Sequence, residues 1–98
     1  MPFRIYWTQQ ARDDLRSIRA HIARDGPITA SAYVRRLRVS VGRLRNQPFS
    51  GQVVSEIGRE DIREILQGSY RIIYRVVDSS IEILTVYHGS QLLDSSDS

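Results

Sequence analysis

The stretch "RIIYRVVDSSIEILTVYHG", residues 71–89, decides the fold. Apolar and polar residues alternate along it, with one interruption at Asp78-Ser79-Ser80 and a stop at His88-Gly89. Alternation with period two marks a strand whose two faces differ. Two such runs around a short polar turn predict a β-hairpin. Arg71 and Arg75 lie on its first strand, and Tyr87-His88 closes its second. Three readings fit these four residues: a cleaving site, a docking face, or the polar side of a sheet.

Working outward, Ile62-Arg63-Glu64-Ile65-Leu66 predicts a further strand. Gln67-Gly68-Ser69 turns it into the first strand of the hairpin. The result is a three-stranded antiparallel meander, preceded at 51–58 by a weak strand or an extended loop. In the middle strand Tyr70, Ile72, Tyr74 and Val76 occupy one face. Ile73 and Val77 share the other with Arg71 and Arg75. A strand partly apolar on both faces is central, with helices covering one side.

The first half supplies those helices. Phe3-Arg4-Ile5-Tyr6-Trp7 predicts a short first strand, and Thr8 stands where an N-cap belongs. Ala11, Leu15, Ile18 and Ile22 recur at four, three and four, the apolar stripe of a helix. Asp13 and Asp14 are read as lying in its first turn, where the helix dipole favours acids. Arg12, Arg16 and Arg19 take the other side. Asp25-Gly26-Pro27 ends this helix. A second helix is expected from near Thr29, with Tyr33, Leu37, Val41 and Leu44 on its apolar side and Asn46-Gln47-Pro48 as its stop. A short connection makes the two an antiparallel helical hairpin. The fold class is therefore α+β, in the order β-α-α-β-β-β with an optional further strand, the hairpin packed on one face of a mostly antiparallel sheet. Its expected core is Leu15 and Ile18 against Leu37 and Val41, over Ile72 and Ile83. Residues 1–89 read as one domain and 90–98 as a polar tail.

Composition narrows the function classes. Ninety-eight residues make one small domain. Without cysteine there is neither a disulfide framework nor a thiolate metal site, which fits a cytoplasmic protein. No signal-peptide pattern follows Met1-Pro2-Phe3-Arg4, and nothing approaches the ~20 apolar residues of a membrane span. No metal and no cofactor are expected. All 14 basic residues are arginine. Ten Arg against three Asp give residues 1–50 a charge of +7, and four Arg against eight acids give residues 51–98 a charge of −4, which sum to +3. A basic half predicts an acidic partner or nucleic acid. A plain nucleic-acid module fits less well, because Arg16, Arg19 and Arg36 sit among Asp13, Asp14 and Asp25. Trp7, Tyr33, Tyr70 and Tyr74 read as core, and His21 as structural.

The element order, the opening "WTQQARDDLRSI" and above all "IREILQGSYRIIYRVVDSSIEILTVYHG" resemble the RelE/ParE superfamily of bacterial toxins, over residues 3–89. The resemblance implies a type II toxin–antitoxin module of the kind associated with plasmid stabilisation, in which an acidic antitoxin wraps a small basic toxin. RelE-like members cleave mRNA in the ribosomal A site. ParE-like members bind DNA gyrase and trap its cleavage complex without catalysis of their own.

Cleaving RNA through its 2′-hydroxyl needs a base, an acid and positive charge on the phosphate. The RelE-like pattern implies Arg71 and Arg63 for the charge. Beyond Gly89 that pattern fails, since Ser90-Gln91 replaces a basic residue and no Tyr follows Tyr87. Arginine is a poor base. His88 is the one acid–base candidate, because histidine changes charge near neutral pH, and Glu64 stands ready to orient it. The catalytic candidates of an endonuclease are thus Arg63, Arg71 and His88. The ParE-like reading instead expects contacts to gyrase or antitoxin from Arg35, Arg36, Arg38, Arg43, Arg71, Arg75, Tyr87 and His88, with the antitoxin lying across the helices and the sheet edge.

Overall fold

The computed structural model describes residues 2–89; the expected tail, 90–98, lies outside the described residues. Five strands form one sheet: β1 (Arg4–Trp7), β2 (Gln52–Val53), β3 (Ile62–Gln67), β4 (Tyr70–Val77) and β5 (Ser80–His88). Their order across the sheet is β1-β5-β4-β3-β2. β1 runs parallel to β5, and the other pairs are antiparallel. Helices α1 (Gln9–Ile22) and α2 (Pro27–Gly42) form the hairpin over one face. The expected 51–58 strand is reduced to the two residues of β2.

Thr8 caps α1. Its Oγ1 accepts the amide of Ala11 at 3.2 Å and donates to the carbonyl of Ile83 at 2.7 Å, so the cap also ties the helix start to β5. Two local expectations are corrected. Asp13 and Asp14 lie past the first turn, because α1 begins at Gln9. The second helix starts earlier than Thr29. Gly26, at φ 131°, is its N-cap, and Pro27 takes the first helical position, where its missing N–H leaves nothing unpaired. The same Gly-Pro pair thus stops one helix and starts the next.

The main core lies between the layers. Leu15, Ile18, Leu37, Val41, Ile72 and Ile83 all belong to it, with Tyr70, Tyr74, Ile81 and Val86. Tyr74 is fully buried, yet its hydroxyl accepts the Gly51 amide at 3.0 Å. A Cβ at Gly51 would stand 2.6 Å from that oxygen, so only glycine permits this approach. A smaller cluster of Val54, Ile62 and Ile73 fills the opposite face under the 51–61 loop, flanked by Leu84 and Tyr87. Along β5 the register slips, with Ile73 facing Thr85 but Tyr74 facing Ile83. Leu84 is the extra residue of a β-bulge. The bulge lets Ile83 and Val86, three apart, both face the helices. No helix among the described residues is long and apolar enough to cross a membrane.

Candidate functional site

Strand alternation decides where the hairpin residues point. Arg71 is the cross-strand partner of Tyr87, and Tyr70 of His88. Tyr70 belongs to the core under the helices, and His88 sits with it: the rings meet edge to face at 5.4 Å. Arg71 lies on the opposite face, its guanidinium carbon 5.2 Å from the Tyr87 ring centre. Arg71 and Tyr87 therefore share one face of the sheet and His88 packs on the other, although at the strand end His88 and Arg71 line one depression with Glu64 and Gly89. Neighbours in a strand point to opposite sides, so His88 comes beside Arg71 only at the open end of the hairpin.

The Arg71 guanidinium is already engaged. Nε donates to Glu64 Oε1 at 2.5 Å, and the two terminal nitrogens reach Glu56 at 3.2 and 3.3 Å. The side chains of Arg71 and Glu64 are only 14% and 15% exposed, so this is a half-hidden pair in which each charge neutralises the other. The pairing holds the Arg71 guanidinium well above its ordinary pKa, with Glu64 as the main cause, and Arg71 holds the Glu56 carboxyl below the usual carboxylate range. Glu64 thus serves Arg71. Burial pushes the Tyr87 phenol up, and its buried hydroxyl has no hydrogen-bond partner among the described residues.

Arg63 is committed as well. It donates to the carbonyls of Glu60 and Gly51, both at 2.9 Å, and of Phe49 at 3.3 Å, and lies over the Phe49 ring. It staples the loop before β3 to that strand. Arg75 bridges Glu82, its cross-strand partner, at 3.0 Å. Of the three catalytic candidates, Arg63 and Arg71 face internal acceptors, and His88 comes beside Arg71 at the strand end.

On the helix side, His88 lines a groove of about 480 Å³ with Asp14, Ser17, Ile18, His21, Tyr70 and Val86. The sequence reading missed the contact that shapes this groove. β1 pairs only as far as Ile83, and beyond it Asp14 takes the place of a neighbouring strand. Its Oδ2 accepts from the Thr85 hydroxyl at 2.6 Å and the Val86 amide at 2.9 Å. Nothing local signals it, since the partners are 71 and 72 residues apart.

The helical arginines are arranged differently. Arg12, Arg16, Arg19 and Arg38 rim a groove of about 280 Å³ floored by Leu15 and Val34. Arg38 also lies over Trp7, and Arg36 over Tyr33. Arg35 turns outward beside Ile28 and Ala32, and Arg43 is exposed. So the four expected contact arginines of α2 do not share one face. Among the described residues 2–50, Arg16 alone forms an ion pair, with exposed Asp13.

A helical hairpin packed on one face of a five-stranded, mostly antiparallel sheet is the fold of RelE/ParE toxins. The family model "ParE toxin of type II toxin-antitoxin system, parDE" matches residues 5–93, and the chain belongs to that family. The protein Y4kP of Sinorhizobium fredii, which carries the name of a toxin, is 37% identical over 91 residues, 90% of each chain. The fold is also that of a chain from the chromosomal ParDE system of P. aeruginosa. The TM-score is 0.77 at 24% identity, covering 88% of this chain and 95% of that one. A chain of the RelBE2 toxin–antitoxin complex of Mycobacterium tuberculosis superposes with a TM-score of 0.62 at 26% identity, over 90% and 92% of the two chains.

Proposed function

We propose that this toxin is ParE-like: it acts by binding DNA gyrase in the cytoplasm, without cleaving RNA, and a cognate acidic antitoxin neutralises it. The observation that carries this reading is the state of Arg71. A phosphate-binding arginine must offer its donors to the ligand. Here Glu64 and Glu56 hold them, and a phosphate would meet two carboxylates as well as the guanidinium. His88 packs on Tyr70 at the helix side of the sheet, with His21 in the same groove. The cation beside His88 at the strand end is thus already neutralised by carboxylates. The outer sheet face with Arg71, Arg75 and Tyr87 is then a contact surface for the target, carried by a toxin domain of residues 1–89 with a polar tail at 90–98.

The antitoxin part rests on charge and on the relatives. Residues 1–50 carry the +7, almost unpaired among the described residues, and the two solved relatives come from a ParDE system and a RelBE2 complex. Arg35, Arg36, Arg38 and Arg43 are the residues proposed to meet antitoxin acids.

The experiment runs purified toxin in two assays, DNA supercoiling by gyrase and ribosome-programmed mRNA cleavage. Inhibited supercoiling without A-site cutting is expected, and His88→Gln should change neither result. A-site cutting that His88→Gln abolishes would overturn the reading and make His88 catalytic.

A further inference from the structure

We infer that the outward face of α2 is a docking seam for one helix of the acidic partner, packed against it in coiled-coil fashion. This rests on the antitoxin reading above and adds the surface that partner uses.

Helix α2 carries two stripes with one spacing. Ala30, Val34, Leu37, Val41 and Leu44 recur at four, three, four and three, and all are buried in the fold. Ile28, Ala32, Arg35, Val39 and Gly42 recur at the same intervals on the opposite side. That spacing, 3.5 on average, is what a second helix reads as a continuous seam. Ile28 is 85% exposed and Val39 52%. Pro27, Ile28, Ser31, Ala32 and Arg35 line a shallow depression of about 390 Å³ along it. Lone exposed apolar residues need no explanation. Two of them, in register along one helix with a depression between, form a surface.

Gly42 is an independent observation. It is the last residue of α2, with helical backbone that runs on into the turn at 43–45, where alanine is the better helix former. The fold does not require it, because its φ is an ordinary −58° and a Cβ there would meet no atom within 4 Å. A missing side chain that serves nothing inside the chain leaves room for close approach from outside.

Charge selects the occupant. Arg35 lies in the seam and Arg36 and Arg43 beside it, and none forms an ion pair among the described residues. A second copy would bring these arginines against one another, a like-charge penalty. Nucleic acid would satisfy the arginines but gain little from Ile28 and Val39. An amphipathic helix with acids opposite Arg35 and Arg43 satisfies both. The charge at one seam position fixes the register of pairing.

The test co-expresses the chain with the protein encoded beside it and measures affinity for the parent, Val39→Glu and Gly42→Ala. Val39 is half exposed, so Val39→Glu should keep the parental melting temperature. It should weaken binding about 30-fold or more, the loss of one hot-spot contact. Gly42→Ala should melt higher than the parent and still bind about tenfold more weakly, because the added methyl stands between the helices. A residue with only an internal role cannot give that opposite pair of effects. If both variants bind as the parent does, the seam is refuted and the partner reading stands. If the parent fails to bind that protein, the partner reading falls and the seam with it. A parent that is dimeric alone, and monomeric as Val39→Glu, would assign the seam to a second copy and overturn the acidic helix.

Discussion

The arginines of the helical layer and those of the sheet layer answer to different needs. On the sheet, Arg71 and Arg75 each sit beside a glutamate, and Arg63 donates to three carbonyls. Charges half withdrawn from water must be compensated locally, so these residues belong to the folding of the sheet. On the helices, Arg12, Arg19, Arg35, Arg36, Arg38 and Arg43 stay exposed, without acid partners among the described residues. Their summed field is available to an outside partner and steers its approach. Identical side chains thus divide into a set held by the sheet and a set left open to the antitoxin, according to what lies within 4 Å, which composition does not show.

The largest expected effect lies between the layers. Leu37 is fully buried and touches both. Leu37→Ala should cost about 2–5 kcal/mol, and in a domain of this size each kcal/mol lowers the melting temperature by about 4–8 °C. An unchanged melting curve would show that the helices do not depend on this packing. Asp14→Ala comes next. It strips the Val86 amide and the Thr85 hydroxyl of their acceptor, at about 1–2 kcal/mol. Asp14→Asn keeps one acceptor oxygen and should recover part of the loss; if both variants melt alike, the carboxylate charge is what matters.

The smallest effect is one of pH. Arg71 depresses the pKa of Glu56, so the pair stabilises the fold above the ordinary carboxylate range and the contribution is lost as pH falls through the depressed value. Stability of the parent should fall in acid, and Glu56→Gln should make that fall shallower. Identical acid profiles would mean that the loop carboxylate adds nothing to the sheet-side compensation.

Much of the fold was legible in the sequence, for reasons that are local. Ile72 and Tyr74 alternate with Arg71 and Arg75, and Leu37 and Val41 repeat at helical spacing, so both layers and the core follow from period alone. The bulge at Leu84 was not legible, because it depends on what Ile83 and Val86 must reach across the sheet. Nor was the parallel pairing of β1 with β5, which joins residues 76 apart such as Arg4 and Ser80. The candidate site suffered from the same gap. Arg71 reads as a free cation until Glu64 and Glu56 are placed beside it by β3 and a loop. The separation of Tyr87 from His88, in contrast, follows from strand alternation and was available from the start.

The division between the two arginine sets is tested most directly by one crossed measurement on Arg71→Gln and Arg35→Gln. For each, the melting temperature is recorded beside the rate of association with the antitoxin at low salt. Arg71→Gln should melt lower, by the about 1.5–3 kcal/mol of hydrogen bonds to charged groups, and associate at the parental rate. Arg35→Gln should melt with the parent and associate more slowly. The opposite pattern, with Arg71→Gln as stable as the parent and slow to associate, would make Arg71 an antitoxin contact and contradict the division.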